Sequence, residues 1–134
     1  MLVLSPLCFS VSASGSNDSP IAIVIHGGAG TIKRELMSDE MEDRYREVLA
    51  EAIESGYQIL KNDGSSTDAV IATITLLEDS PLFNAGHGAV FNHDGNIELD
   101  ASIMQGGDLN AGAVAAVSRV KNPITLALAV LEHS

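Results

Sequence analysis

The segment that most constrains the fold is Ile21-Ala-Ile-Val-Ile25, an apolar run in which four of five residues are β-branched, followed at once by His26-Gly-Gly-Ala-Gly30. A short run of this kind ending on a glycine cluster predicts a central strand buried on both faces. The glycines that follow lack the Cβ that would keep backbone N–H groups away from an anion or a developing oxyanion. The loop is neither Gly-x-Gly-x-x-Gly nor a glycine loop with a Lys-Ser/Thr continuation, which argues against dinucleotide and P-loop chemistry. A tight turn around a packed histidine stays open as the plainer alternative.

Two helices should follow. Ser38 can cap a helix from about Asp39 to Lys61 that carries Tyr45, Val48, Leu49, Ala52, Ile53, Gly56, Ile59 and Leu60 on one stripe, with Asn62-Asp63-Gly64 as its stop. Along its solvated face, Glu40 with Arg44 and Glu42 with Arg46 have the i,i+4 order of helix ion pairs. Ser65 with Asp68 resembles a capping box and opens a second helix through Val70, Ile71, Ile74 and Leu77, ending near Glu78 and Asp79. After the loop Pro81-Leu-Phe-Asn-Ala-Gly-His-Gly88, residues 89–91, 92–96 and 97–104 read as strand, turn and strand. Residues 111–118 form a strand of small residues that lets a neighbouring layer come close, and Pro123 suits the first turn of a last helix. That helix reaches Ser134 without a stop signal, so the chain is expected to be cut rather than finished.

The 134 residues suit one domain, and 46% hydrophobic residues supply a core. With only 4% aromatic residues and no Trp, that core should depend on close backbone packing, so the expected class is α/β or α+β. The formal charge of −11 argues against a nucleic-acid partner, which needs a positive footprint. No membrane partner is expected either. The single cysteine, Cys8, says nothing about the redox compartment. Residues 1–20 read as a leader and flexible lead-in. Val11-Ser-Ala13 suits signal-peptidase cleavage although a basic start is missing, so a periplasmic or secreted protein is expected if the leader is a signal peptide and a cytoplasmic one otherwise.

His26, His87, His93 and His133 do not have zinc-ligand spacing, and no Gly-x-Ser-x-Gly elbow exposes a serine. What remains is a residue made N-terminal by cleavage, whose free α-amine serves as its own general base. Gly30-Thr31 is the one Gly-Thr step, but Ile32-Lys33-Arg34 follows it instead of a small-residue strand, so Thr31 is read as a loop residue.

Five blocks in order then carry a family resemblance: Ile23-Val-Ile-His-Gly-Gly-Ala-Gly30, Leu77-Glu-Asp-Ser-Pro-Leu-Phe-Asn-Ala-Gly-His-Gly-Ala89, Glu98-Leu-Asp-Ala-Ser-Ile-Met104, Ala111-Gly-Ala-Val114 and Lys121-Asn-Pro123. Together they resemble the plant-type L-asparaginase and isoaspartyl peptidase family of N-terminal-nucleophile threonine hydrolases. The resemblance implies an αββα sandwich, an inactive precursor that cuts itself before a threonine, and hydrolysis of asparagine and β-aspartyl peptides by dimers of cleaved αβ units. Residues 21–134 match most of the α part, so the catalytic threonine and the β subunit are expected beyond Ser134 and no catalytic nucleophile is expected within the chain.

The resemblance also implies that Asn84, His26, Gly27 and Gly28 support the active site. It further implies that the main-chain carbonyls of Leu77, Glu78, Ser80, Phe83, Ala85 and His87 hold a structural sodium ion, with no other cofactor. His87 replaces other side chains found in relatives. An ordinary irregular loop is the alternative for the sodium segment, and an Asn satisfying loop backbone the alternative for Asn84. Two other functions stay open: a non-catalytic copy that pairs with a complete subunit, and an unrelated α/β anion-binding domain.

Overall fold

The computed structural model describes residues 20–28 and 37–133. The leader, its cleavage point after Ala13, Ala29 and the Gly30-Thr31 step lie outside these residues. The described elements are α1 (Asp39–Lys61), α2 (Ser66–Asp79), a 3-10 turn (Gly86–Gly88), β1 (Leu99–Met104), β2 (Ala111–Val117) and α3 (Pro123–His133). This mixture of helices and a small antiparallel sheet is compatible with the expected α+β class.

Local chemistry sets the helix ends. The Ser38 hydroxyl accepts the Met41 N–H at 3.2 Å, and the Ser65 hydroxyl accepts the Asp68 N–H at 3.0 Å while donating to Asp68 Oδ2 at 2.6 Å. Each satisfies one of the orphan amides of a first helical turn. At the other end of α1, Asp63 takes φ 60° and the Gly64 N–H returns to the Ile59 carbonyl at 2.9 Å. Glu42 pairs with Arg46 at 2.6 Å. Glu40 turns back to the start of the helix, where its own backbone amide and the Ser38 hydroxyl hold its carboxyl below the usual range.

Helix α2 lies between two apolar clusters. Leu76 and Leu77 pack with Ala52 of α1, Phe83, Ile25, Tyr45 and Leu49, while Ile71 and Ile74 pack with Ile103, Ile124 and Ala127. Backbones come close at both layers, as the scarcity of large rings suggested. A Cβ at Gly56 would fall on Thr73 Oγ1 and Ile23 Cδ1, where α1 crosses α2. One at Gly112 would fall on the Ala127 carbonyl of α3.

Strands β1 and β2 pair antiparallel, with Ala101 opposite Val114, Ile103 opposite Gly112 and Met104 opposite Ala111, and α3 covers one face. The register shifts between Leu99 and Ala101. There Asp100 Oδ1 accepts the Ala116 N–H at 2.7 Å, and Ala116 sits at φ 53°. This is a bulge held by a carboxylate, with a Cβ in the left-handed region. Replacing Ala116 with Gly removes that steric cost, and unfolding in urea is expected to show a gain of up to about 1 kcal/mol.

Two expected strands differ from the structure. Residues 21–25 form no ladder among the described residues and are not buried on both faces. Ile23 and Ile25 turn toward the helices, whereas Val24 is 90% exposed. The apolar run specifies burial, but two-sided burial needs a second covering layer, and α1 and α2 cover one side. Residues 89–91 are also outside any ladder, although the turn after them forms, with Asn92 N–H to the Asn96 carbonyl at 2.7 Å and Gly95 at φ 77°. The ladder starts only at Leu99, because β1 pairs with β2 and not with the preceding segment.

Candidate active site

The loop after α2 is shaped by its carbonyls. The Leu77 carbonyl accepts the Ser80 N–H at 3.3 Å, the Phe83 carbonyl the Ala85 N–H at 2.8 Å and the Ala85 carbonyl the Gly88 N–H at 3.0 Å. Gly86, at φ 49°, leaves no room for a Cβ beside the Glu78 carbonyl, and Gly88 none beside the Phe83 carbonyl. The segment therefore coils tightly with its backbone oxygens gathered on it, each keeping a second lone pair.

Within this coil Phe83 is buried, and its ring meets Tyr45 edge to face at 5.5 Å, anchoring the loop to α1. The next residue, Asn84, is exposed and its Oδ1 accepts the Val90 N–H at 2.9 Å. Asn84 thus does satisfy loop backbone. With its oxygen engaged there, the Nδ2 hydrogens remain for another partner.

Across from it, Gly27 is wedged where a Cβ would come within 3.2 Å of Phe83 Cε1 and 3.4 Å of Leu49 Cδ2. Gly28 takes φ 105°, and its N–H donates to His26 Nδ1 at 3.1 Å. His26, Gly27, Gly28 and Asn84 line one cleft of about 560 Å³, with Leu77, Phe83, Ala85 and Val90 among its walls. All four positions expected to support the site are thus brought together, although Asn84 lies 56 or more positions along the sequence from His26, Gly27 and Gly28. The cleft is apolar with a few polar groups, the usual makeup of a small-molecule site.

Of the residues expected to ligate sodium, Leu77, Phe83 and Ala85 also border this cleft, whereas Glu78, Ser80 and His87 do not. His87 lines a separate recess with Asp79 and Lys121, and its Nδ1 lies 3.3 Å from the Asp79 carbonyl at the end of α2. His87 therefore anchors this loop with a ring donor on a helix-end carbonyl.

Sequence reasoning missed what the Glu78 side chain does. It is 3% exposed, and Oε1 accepts the Ile124 N–H at 3.1 Å, capping α3 from another helix. Its Oε2 is buried without a hydrogen-bond partner. Burial pushes the Glu78 carboxyl above its ordinary range, offset in part by the Ile124 amide and the nearby Asn122 side chain. Beside it, Asp79 bonds Lys121 Nζ at 2.8 Å and Asn122 Nδ2 at 3.0 Å, and these two donors hold its carboxyl below the usual range. An acidic pair at a helix end gave only a stop signal in the sequence, since its partners lie more than 40 positions away.

No helix among the described residues is long and apolar enough to cross a membrane.

Comparison with known proteins gives a consistent result. The profile of a family described as asparaginase matches residues 19–134. An isoaspartyl peptidase of Salmonella typhimurium is 52% identical over 112 residues, covering 84% of this chain and 36% of that protein. An isoaspartyl peptidase/L-asparaginase of Mus musculus is 47% identical over 119 residues, covering 89% and 35%. A plant-type L-asparaginase of Pyrococcus furiosus is 49% identical over 114 residues, covering 85% and 36%. The chain spans about a third of the length of these curated relatives.

Proposed function

The chain belongs to the asparaginase family, and from that premise we propose that it forms the amino-terminal share of an amidohydrolase acting on L-asparagine or β-aspartyl peptides. The nucleophile of this reading is a threonine freed by self-cleavage in a segment after Ser134. The complete protein is an αββα sandwich whose α and β parts come from one precursor and assemble as a dimer of αβ units. The observation that carries the reading is the convergence of His26, Gly27, Gly28 and Asn84 on one apolar cleft.

This chain's share of the chemistry is to shape and polarise that cleft. Asn84 offers its Nδ2 hydrogens to an oxygen on the substrate or beside the nucleophile, and its Oδ1 is fixed by Val90 so the amide cannot turn over. The apolar walls from Leu77, Leu82 and Phe83 lower the local dielectric and strengthen those hydrogen bonds.

The coiled loop offers oxygens to a monovalent cation, since the carbonyls of Leu77, Phe83 and Ala85 each accept one N–H from the loop and keep a second lone pair. Leu77, Glu78, Ser80, Phe83, Ala85 and His87 would hold sodium through main-chain carbonyls. The ion supplies charge that braces the loop carrying Asn84 and no reacting group. Replacing sodium by choline at constant ionic strength is expected to cost about 1–2 kcal/mol, read as a fall of several degrees in Tm.

The proposal is tested by expressing the complete reading frame and this chain separately. Mass spectrometry follows the appearance of a new N-terminal threonine, while release of ammonia from asparagine and of aspartate from β-aspartyl-leucine gives activity. Turnover is expected only when the nucleophile-bearing segment is present. Hydrolysis by this chain alone, or a processed full-length product inert toward both substrates, would overturn it.

A further inference from the structure

The glycine loop contains one side-chain contact that the family reading leaves unused. The Gly28 N–H donates to His26 Nδ1 at 3.1 Å, two residues away. An imidazole nitrogen accepts a hydrogen bond only when it carries no proton, so in the neutral ring the proton must sit on Nε2. Gly28 itself is at φ 105°, and among the described residues nothing lies within 4 Å of where a Cβ would stand. Gly27 next to it is wedged against Phe83 and Leu49 on the cleft wall. The histidine contact is the hydrogen bond that closes this turn.

We propose that His26 is a positioning residue. Its Nδ1, by accepting the Gly28 amide, locks the ring as the Nε2–H tautomer and fixes the left-handed turn that seats Gly27 in the cleft wall. Two consequences follow for the cleft. The Gly28 amide is engaged by His26, so it is not free to stabilise an oxyanion. The polar side chains on the two facing segments each have an acceptor atom engaged, His26 Nδ1 by Gly28 and Asn84 Oδ1 by Val90, and both keep donors. These two side chains therefore offer donors to ligand groups that accept hydrogen bonds, a carbonyl or a carboxylate oxygen. The link to catalysis rests on the amidohydrolase reading, whereas the tautomer is a property of the ring itself.

The same molecule contains the opposite case. His87 Nδ1 faces the Asp79 carbonyl, which only accepts, so that ring must carry its proton on Nδ1. The test is long-range ¹H–¹⁵N spectroscopy of the complete chain labelled in its histidine rings, well above the ordinary imidazole pKa of about 6.5. His26 is expected to give a bare, pyridine-like Nδ1 and a protonated Nε2, and His87 the reverse. An averaged pattern at His26, or a proton on its Nδ1, would overturn the proposal whether or not His87 behaves as expected.

Substitution gives a second readout. In His26→Asn the amide oxygen stands close to where Nδ1 stood and can close the same two-residue turn, so Gly28 amide exchange should stay within about twofold of the original. His26→Gln moves its polar atoms one bond further out, and exchange at Gly28 should quicken by about fivefold to tenfold. Equal exchange in the two variants would mean that the contact does not hold the turn. A fixed His26 tautomer in a protein without amidase activity would overturn the functional reading and leave this one standing.

Discussion

Gly112→Ala is expected to cost about 2–4 kcal/mol in folding free energy, measured as a shift of the urea midpoint at unchanged slope. The added methyl would fall on the Ala127 carbonyl, 2.5 Å from the Leu131 amide nitrogen and 2.9 Å from Leu131 Cβ. Two of these three are backbone atoms of α3 and cannot move by changing rotamer. Relief requires the whole helix to lift from the sheet, which opens the cluster of Ile103, Ile124 and Ala127 beneath it. Gly95→Ala, at a turn where nothing lies within 4 Å of the Cβ position, serves as a control in which only the backbone cost at φ 77° is felt, about 1 kcal/mol. A Gly112→Ala loss no larger than that of the control would refute the close seating of α3 on β2.

Glu78→Ala is expected to destabilise by about 2–3 kcal/mol near pH 4 and by less near pH 7. Removing the side chain strands the Ile124 N–H at the start of α3, beside the 1% exposed Ile124 side chain. It also removes a carboxylate whose second oxygen has no partner, and this partly offsets the loss once the group is ionised. The sign of the pH dependence follows from burial. The folded protein holds the Glu78 proton above the ordinary value of 4.5, so the native state binds more protons than the unfolded chain over that interval. The contribution of this group is most favourable below about pH 4.5 and declines as pH rises through the folded pKa.

Glu78→Gln keeps an acceptor for Ile124 and removes the charge. It should match the original protein near pH 4, exceed its stability near pH 7, and flatten the slope between. Thermal unfolding of the three proteins across this range checks the ordering. If Glu78→Gln is the less stable at neutral pH, then the ionised carboxylate has a partner that the hydrogen bonds described above do not include.

Much of this molecule was legible because the determining interactions are local. Ser38 and Ser65 bond amides three residues ahead, so the starts of α1 and α2 were fixed by spacing that a sequence displays directly. Pro123 opened α3 because its missing N–H costs nothing at a helix start. The small residues of β2 announced close packing, although not that Gly112 in particular would meet α3. Family blocks in order assigned the family, and with it the expectation that His26, Gly27, Gly28 and Asn84 meet at one site.

The tertiary structure decided what those side chains touch. The apolar run at residues 21–25 encoded burial, yet whether one or both faces are covered depends on layers that the run cannot specify, and Val24 ended 90% exposed. The Ala89 segment looked like a hairpin strand, but β1 found its partner in β2, since pairing is settled by which strands compete for one edge. Glu78 and Asp79 looked like the polar end of a helix, and became a clasp on the start of α3: burial leaves the Glu78 carboxylate and the Ile124 amide only each other to bond, while the more open Asp79 pairs with Lys121. Caps, turns and periodicity act within a few residues and are written in order along the chain. Which carboxylate is buried, which strand gains a partner and which glycine closes a gap depend on surfaces that exist only once the layers have packed.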